Sequence, residues 1–158
     1  MVLGASGFIG RWVSRLICRT GARPYLVARD VQSAKRVFSD YEISGEIIEA
    51  DLCRPDSISE LIARIKPDVV FNLAGYGVDR SERYEKMAYR INADLVEATC
   101  KAMALNRNST WPGQRIVHVG SALEYGEIGG NLAEDSAANP TTLYGNSKHA
   151  LQLLLAAW

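Results

Sequence analysis

The hydrophobic positions along the chain alternate between short runs suited to strands and stretches spaced three or four apart, as on one helix face. Met1-Val2-Leu3 is a strand stub. A helix is predicted from about Gly7 to Arg19, with Ile9, Val13, Leu16 and Ile17 on one face and Thr20-Gly21 as its stop. Pro24 to Ala28 reads as the second strand and Val31 to Phe38 as a short helix, with Asp30 as its N-cap. Glu46 to Ala50 is the third strand. Asp56 to Ile65 is helical, through Ile58, Leu61, Ile62 and Ile65. The run Val69 to Ala74 is apolar enough for a strand buried on both faces. A long helix is predicted over 81–105, a polar loop over 106–114, and a fifth strand over Arg115 to Gly120. Gly129-Gly130 and Asn139-Pro140 break the segment 126–140. The last helix runs from about Thr142 to the end.

No segment repeats. Strands separated by helices predict an α/β fold: a doubly wound parallel sheet of the Rossmann type, about five strands with helices on both faces. The 158 residues amount to one domain's worth, 47% hydrophobic and 23% charged. Eighteen basic residues balance eighteen acidic ones, which argues against a nucleic-acid or anionic-membrane partner. Three dispersed cysteines, Cys18, Cys53 and Cys100, contain no CxxC and suit a reducing compartment. No apolar run reaches membrane-spanning length, and the start shows no signal-peptide pattern, so a cytoplasmic protein is expected. His118 reads as a packed strand residue, and neither it nor His149 has metal-ligand spacing, so no metal is expected.

Gly4-x-x-Gly7-x-x-Gly10 lies between a strand and a helix. There one glycine permits a tight turn, one admits a pyrophosphate to the backbone, and one allows close helix–strand packing. The helix N-terminus adds N–H groups and a partial positive charge. The same spacing also suits a plain strand-to-helix turn. The end of the second strand offers both Arg29 and Asp30 to the adenosine ribose. An acid there suits the 2′-hydroxyl of NAD, an arginine the 2′-phosphate of NADP. Asp30 has an alternative role as a helix cap, so the balance favours NADP over NAD.

Tyr144-Gly145-Asn146-Ser147-Lys148 sets a phenol and an ammonium four residues apart, on one face if helical. A neighbouring Lys⁺ is expected to lower the tyrosine pKa toward proton-transfer chemistry. Ser121 stands at the end of the fifth strand, at the sheet edge where open α/β sheets gather their sites. The alternative is a surface Tyr and Lys on an ordinary helix.

Taken in order, the glycine loop, Asp51-Leu52, Asn72-Leu73-Ala74-Gly75 and Ser121…Tyr144-x-x-x-Lys148 resemble the short-chain dehydrogenase/reductase superfamily. The resemblance is closest to its extended branch, the NAD-dependent epimerase/dehydratase family, through Ser121-Ala122-Leu123-Glu124-Tyr125-Gly126, Glu134-Asp135 and Asn139-Pro140. It implies cofactor contacts from Gly4, Ser6, Gly7, Phe8, Ile9 and Gly10, and adenine contacts from Asp51 and Leu52. Ala74 and Gly75 would line the cofactor, and Asn92 matches an asparagine near the active site. Tyr144 would be the acid/base, Lys148 would hold the ribose and depress the Tyr144 pKa, and Ser121 would orient the substrate. Hydride transfer to or from a sugar carbon, most simply of a nucleotide sugar, follows from the same resemblance.

Family members continue through a sixth strand and a substrate-binding lobe. Residues 1–158 are therefore expected to form the dinucleotide-binding domain with the Ser/Tyr/Lys centre and without that lobe. The first strand is also short. Leu151, Leu153, Leu154, Leu155 and Trp158 make the last helix apolar nearly all round, which suits burial against a lobe or in a homodimer. Ser121-Ala122-Leu123 carries no Asp-Glu pair, so dehydration ranks below epimerisation and reduction. A dinucleotide-binding module without turnover is the alternative. The charged cluster Asp79 to Lys86 reads as a solvated helix start with a minor substrate-contact role as its alternative. Trp111 reads as a loop anchor, and Tyr125 as a packed or substrate-facing aromatic.

Overall fold

The computed structural model describes residues 1–79, 81–106, 110–127 and 130–156, with side chains as far as Leu153. Arg80, the loop residues 107–109, Gly129, and the Leu154, Leu155 and Trp158 side chains of the predicted apolar helix lie outside the described residues. The elements follow in the order β1 (Val2–Leu3), α1 (Phe8–Arg19), β2 (Tyr25–Ala28), α2 (Val31–Asp40), β3 (Glu46–Glu49), α3 (Ser57–Ile65) and β4 (Val70–Asn72). The second half holds α4 (Glu85–Tyr89), a π-helical segment (Arg90–Asp94), α5 (Leu95–Leu105), β5 (Ile116–His118), a 3₁₀ turn (Ala122–Tyr125) and α6 (Leu143–Ala156).

The five strands form one parallel sheet in the order β3-β2-β1-β4-β5. The chain moves outward from β1 to β3, then crosses back to β4 and β5. Right-handed crossovers that progress in opposite directions along a sheet put their helices on its opposite faces. The architecture is thus doubly wound, and the order reverses between β1 and β4. That reversal opens the crevice in which such sheets take ligands.

Two compact units make up the chain, one of residues 1–74 and 98–118, the other of 75–97 and 119–158. The first holds the sheet. Its core contains Val2, Leu26, Ala28, Ala34, Phe38 and Ile43. The short inner strands are sealed from solvent, with Leu3, Leu26 and Val70 showing no exposed surface, whereas the edge strands β3 and β5 are partly exposed. The second unit carries α4, the π segment and α6, with Ala88, Ile91, Val96 and Leu151 buried. Its buried polar residues include Asn92, Glu124, Ser147 and Lys148.

Three predicted elements end elsewhere than the hydrophobic pattern implies. The fourth strand stops at Asn72, because the Asn72 Oδ1 accepts the backbone N–H of Ala74 at 3.3 Å and bends the chain off the ladder. The fifth stops at His118, where the Val119 carbonyl turns to accept the Lys148 Nζ at 3.1 Å. The long helix predicted over 81–105 begins only at Glu85 and carries a π-helical turn. Asp79 accounts for the late start: its Oδ1 accepts from the Ser81 backbone at 2.8 Å and hydroxyl at 2.7 Å, closing a local turn.

Candidate functional site

Gly4 ends β1 with φ +70°, a conformation that only glycine adopts without strain. A Cβ there would stand 2.9 Å from the Ala74 backbone nitrogen, so the two strand ends at the switch point approach through this residue. A Cβ on Gly10 would strike the Gly4 carbonyl oxygen. The glycines therefore do more than turn the chain; they bring α1 against β1. Gly7 is the N-cap of α1 and supplies no side-chain cap, and the first turn holds no acidic residue. That end of the helix keeps its partial positive charge uncompensated, as an anion site requires. The cradle fits a pyrophosphate. Ser6 is half-buried beside it, while Phe8 and Ile9 project outward, Phe8 at 75% exposure.

At the ends of the neighbouring strands the two ribose candidates separate. Asp30 Oδ1 accepts the Ser33 backbone N–H at 3.0 Å, so it caps α2 as predicted. Arg29 beside it is exposed. The Asp51 carboxylate accepts from the Cys53 backbone N–H at 3.0 Å, which holds its pKa below the ordinary value, with the Arg29 and Arg54 charges adding in the same direction. Asp51 is exposed and Leu52 half-buried. The carboxylate is thus ionised and open to an adenine amino group. Ala74 is half-buried and Gly75 exposed.

The second unit has its own polar centre. Tyr144 and Lys148 lie one turn apart on α6, with the Lys148 Nζ 5.9 Å from the phenol ring centroid. Lys148 is only 3% exposed. Ser121 lies at the start of the 3₁₀ turn, near enough for its hydroxyl to act on the Tyr144 phenol. The three predicted catalytic side chains thus converge. Burial pushes the Tyr144 pKa up; the Ser121 contact lowers it and the Glu124 charge raises it further. This corrects the downward shift expected from the Tyr–Lys spacing. Burial also lowers the pKa of Lys148, and the Glu124 carboxylate opposes that effect.

Asn92 has no exposed surface and sits in the π segment. Its Oδ1 accepts the Tyr76 backbone N–H at 3.1 Å, and its Nδ2 donates to the Tyr76 carbonyl at 2.8 Å and to the Ser147 Oγ at 2.8 Å. The amide clamps the 75–77 loop to α6. Gly77 in that loop donates its N–H to Glu82 Oε2 at 2.7 Å, and Tyr144 packs on it. A cavity of about 670 Å³ opens beside Tyr144, lined by Leu123 and Leu143 with Asp79, Glu82 and Arg83. The charged cluster read as a solvated helix start therefore includes cavity-lining residues.

Glu124 was not among the predicted site residues. Its carboxylate accepts the Ser121 backbone N–H at 2.6 Å while the Ser121 Oγ accepts the Leu123 N–H at 3.2 Å. A signal was present in the sequence: Ser121-x-x-Glu124 is the spacing of a capping box. The Tyr125 hydroxyl donates to the Glu134 carbonyl at 3.4 Å, and the Trp111 indole to the Gln114 carbonyl at 3.2 Å, as expected of a loop anchor. Among the described residues no His/Cys/Asp/Glu group could hold a metal, and no helix is long and apolar enough to cross a membrane.

A doubly wound sheet with a glycine cradle at its switch point, in a chain that also carries a Ser–Tyr–Lys centre, defines a protein of the short-chain dehydrogenase/reductase type. The match to the NAD dependent epimerase/dehydratase family covers residues 1–158, and the chain belongs to that family. It is 28% identical over 152 residues to dTDP-4-dehydrorhamnose reductase of Salmonella typhimurium, covering 95% of this chain and 44% of the relative. A dTDP-6-deoxy-L-talose 4-dehydrogenase (NAD(P)(+)) of Kitasatospora kifunensis is 29% identical over 155 residues, with 94% and 44% covered. Among solved structures, UDP-glucose 4-epimerase of Brucella ovis in complex with NAD superposes with a TM-score of 0.76 at 25% identity, over 99% of this chain and 46% of that one. The chain thus spans less than half the length of these relatives.

Proposed function

We propose that this chain is the cofactor-binding and proton-transferring part of an NAD(P)-dependent oxidoreductase or epimerase acting on a nucleotide sugar, with Tyr144 as its acid/base. The observation that carries this reading is that Tyr144 lines one cavity with Leu123 of the turn that Ser121 caps, on a helix that also presents the buried Lys148. Ser121 orients the sugar oxygen and Tyr144 moves the proton on it, donating in reduction and accepting in oxidation. Lys148 holds the ribose of the cofactor and stabilises the phenolate as it forms. Bound nicotinamide supplies the hydride acceptor or donor. Burial favours the neutral phenol, the form that donates the proton when a keto-sugar is reduced.

The cradle of Gly4, Gly7 and Gly10 would take the pyrophosphate, Asp51 the adenine amino group, and Arg29 a 2′-phosphate. The use of Asp30 as a cap supports NADP over NAD. A homodimer completes the reading, and light scattering on the purified chain tests it. The decisive experiment is Tyr144→Phe, assayed by NADPH oxidation with a 4-keto nucleotide sugar. A loss of ~10²–10⁴-fold in kcat is expected, with folding and cofactor affinity unchanged. Equal turnover by the variant would overturn the role of Tyr144. Titration calorimetry with NADPH and NADH tests the cofactor preference, and at least tenfold tighter NADPH binding is expected.

A further inference from the structure

Glu124 is 1% exposed, an unusual position for a carboxylate. One oxygen is committed: Oε1 accepts the Ser121 backbone N–H at 2.6 Å. The other, Oε2, is buried with no hydrogen-bond partner among the described residues. A buried charge left half-satisfied is costly, and a neutral cap residue would close this turn without that cost. The surroundings hold the carboxylate in place. The Glu124 carbonyl accepts the Asn139 N–H at 3.1 Å, and Gly120 leaves room for Oε1, which a Cβ there would approach to 3.2 Å. On the α6 side Gly145 lets the helix press on the Leu123 carbonyl, where a Cβ would collide.

We propose that Glu124 is a positioning residue of the Ser121–Tyr144–Lys148 centre: one carboxylate oxygen fixes the backbone that carries Ser121, and the other keeps a buried negative charge facing the tyrosine and the lysine. The proposal deepens the proposed function and rests on Tyr144 being its acid/base. The titratable side chains that feel this charge from α6, the helix packed on the turn, are Tyr144 and Lys148. The charge opposes formation of phenolate and favours the ammonium. It therefore keeps the tyrosine loaded with its proton and the lysine charged, although burial acts against the latter. A cap alone would do neither.

The test reads titration directly and needs no turnover, so it stands apart from the Tyr144→Phe assay. Tyrosine labelled with ¹³C at Cζ is incorporated into the full chain, and Tyr144→Phe assigns the Tyr144 resonance among the seven tyrosines. In Glu124→Gln the amide oxygen can still accept from Ser121, but the charge is gone. The Tyr144 midpoint is expected to fall by roughly half a unit or more, the range expected for losing a nearby like charge. An unchanged midpoint in a folded Glu124→Gln protein overturns the proposal and leaves the role of Tyr144 untouched. Should that variant fail to fold, Glu124→Met is read at the same Tyr144 resonance. That variant removes the charge at similar volume, and an unmoved Tyr144 midpoint there also overturns the proposal.

Discussion

Asn92→Ala separates a structural asparagine from a cofactor-contacting one. The native amide makes three hydrogen bonds at 2.8–3.1 Å, two to the Tyr76 backbone and one to Ser147. Truncation leaves the Tyr76 N–H and carbonyl without their partner. Each buried group left unsatisfied costs ~1–3 kcal/mol. Both Tyr76 groups are only partly buried and recover some hydration, and the Ser147 hydroxyl keeps its own bond to the Tyr144 carbonyl at 2.9 Å. The expected destabilisation is therefore about 2–4 kcal/mol, a sizeable share of a typical total of about 5–15 kcal/mol. Urea unfolding followed by circular dichroism measures it, with the midpoint falling at constant slope. Because the clamp also holds the loop containing Gly77, on which Tyr144 packs, turnover should fall with stability while NADPH affinity holds. A variant as stable as the parent but with NADPH affinity reduced tenfold would refute the clamp and make Asn92 a cofactor contact.

Gly10→Ala should abolish dinucleotide binding by calorimetry and cost about 1–3 kcal/mol or more, the range for overpacking, because its Cβ is driven into the rigid Gly4 carbonyl. Asp30→Ala removes the cap on α2 and should cost ~1 kcal/mol in thermal or urea unfolding. NADPH affinity should be little changed in that variant, whereas Arg29→Ala should weaken NADPH at least tenfold and NADH hardly at all. The pH dependence follows from the raised Tyr144 pKa: reduction needs the protonated phenol, so kcat/KM should decline on the alkaline side only above pH 10, the ordinary tyrosine value. Above that pH the Tyr144 shift makes the folded state bind more protons than the unfolded one and so lowers stability as pH rises, while the lowered Lys148 pKa acts in the opposite sense; Tyr144→Phe should remove the first contribution alone.

The sequence by itself determined what depends on near neighbours. The alternation of strands and helices, the glycine spacing after β1, the cap at Asp30 and the Tyr144–Lys148 turn all act over a few residues, and each stands in the structure where its spacing predicts. Tertiary structure decided the rest. The ends of β4 and β5, and the break of the long helix into α4, a π segment and α5, go with hydrogen bonds that hydropathy does not encode. Asn92 binds Ser147 across 55 positions, and Lys148 binds the Val119 carbonyl across 29. The direction of the Tyr144 pKa is the clearest case. A lysine four residues away argues for a lower value, and only the folded chain shows that burial and the Glu124 charge prevail. Desolvation and Coulomb forces are set by distance in space, and a linear sequence records only distance along the chain.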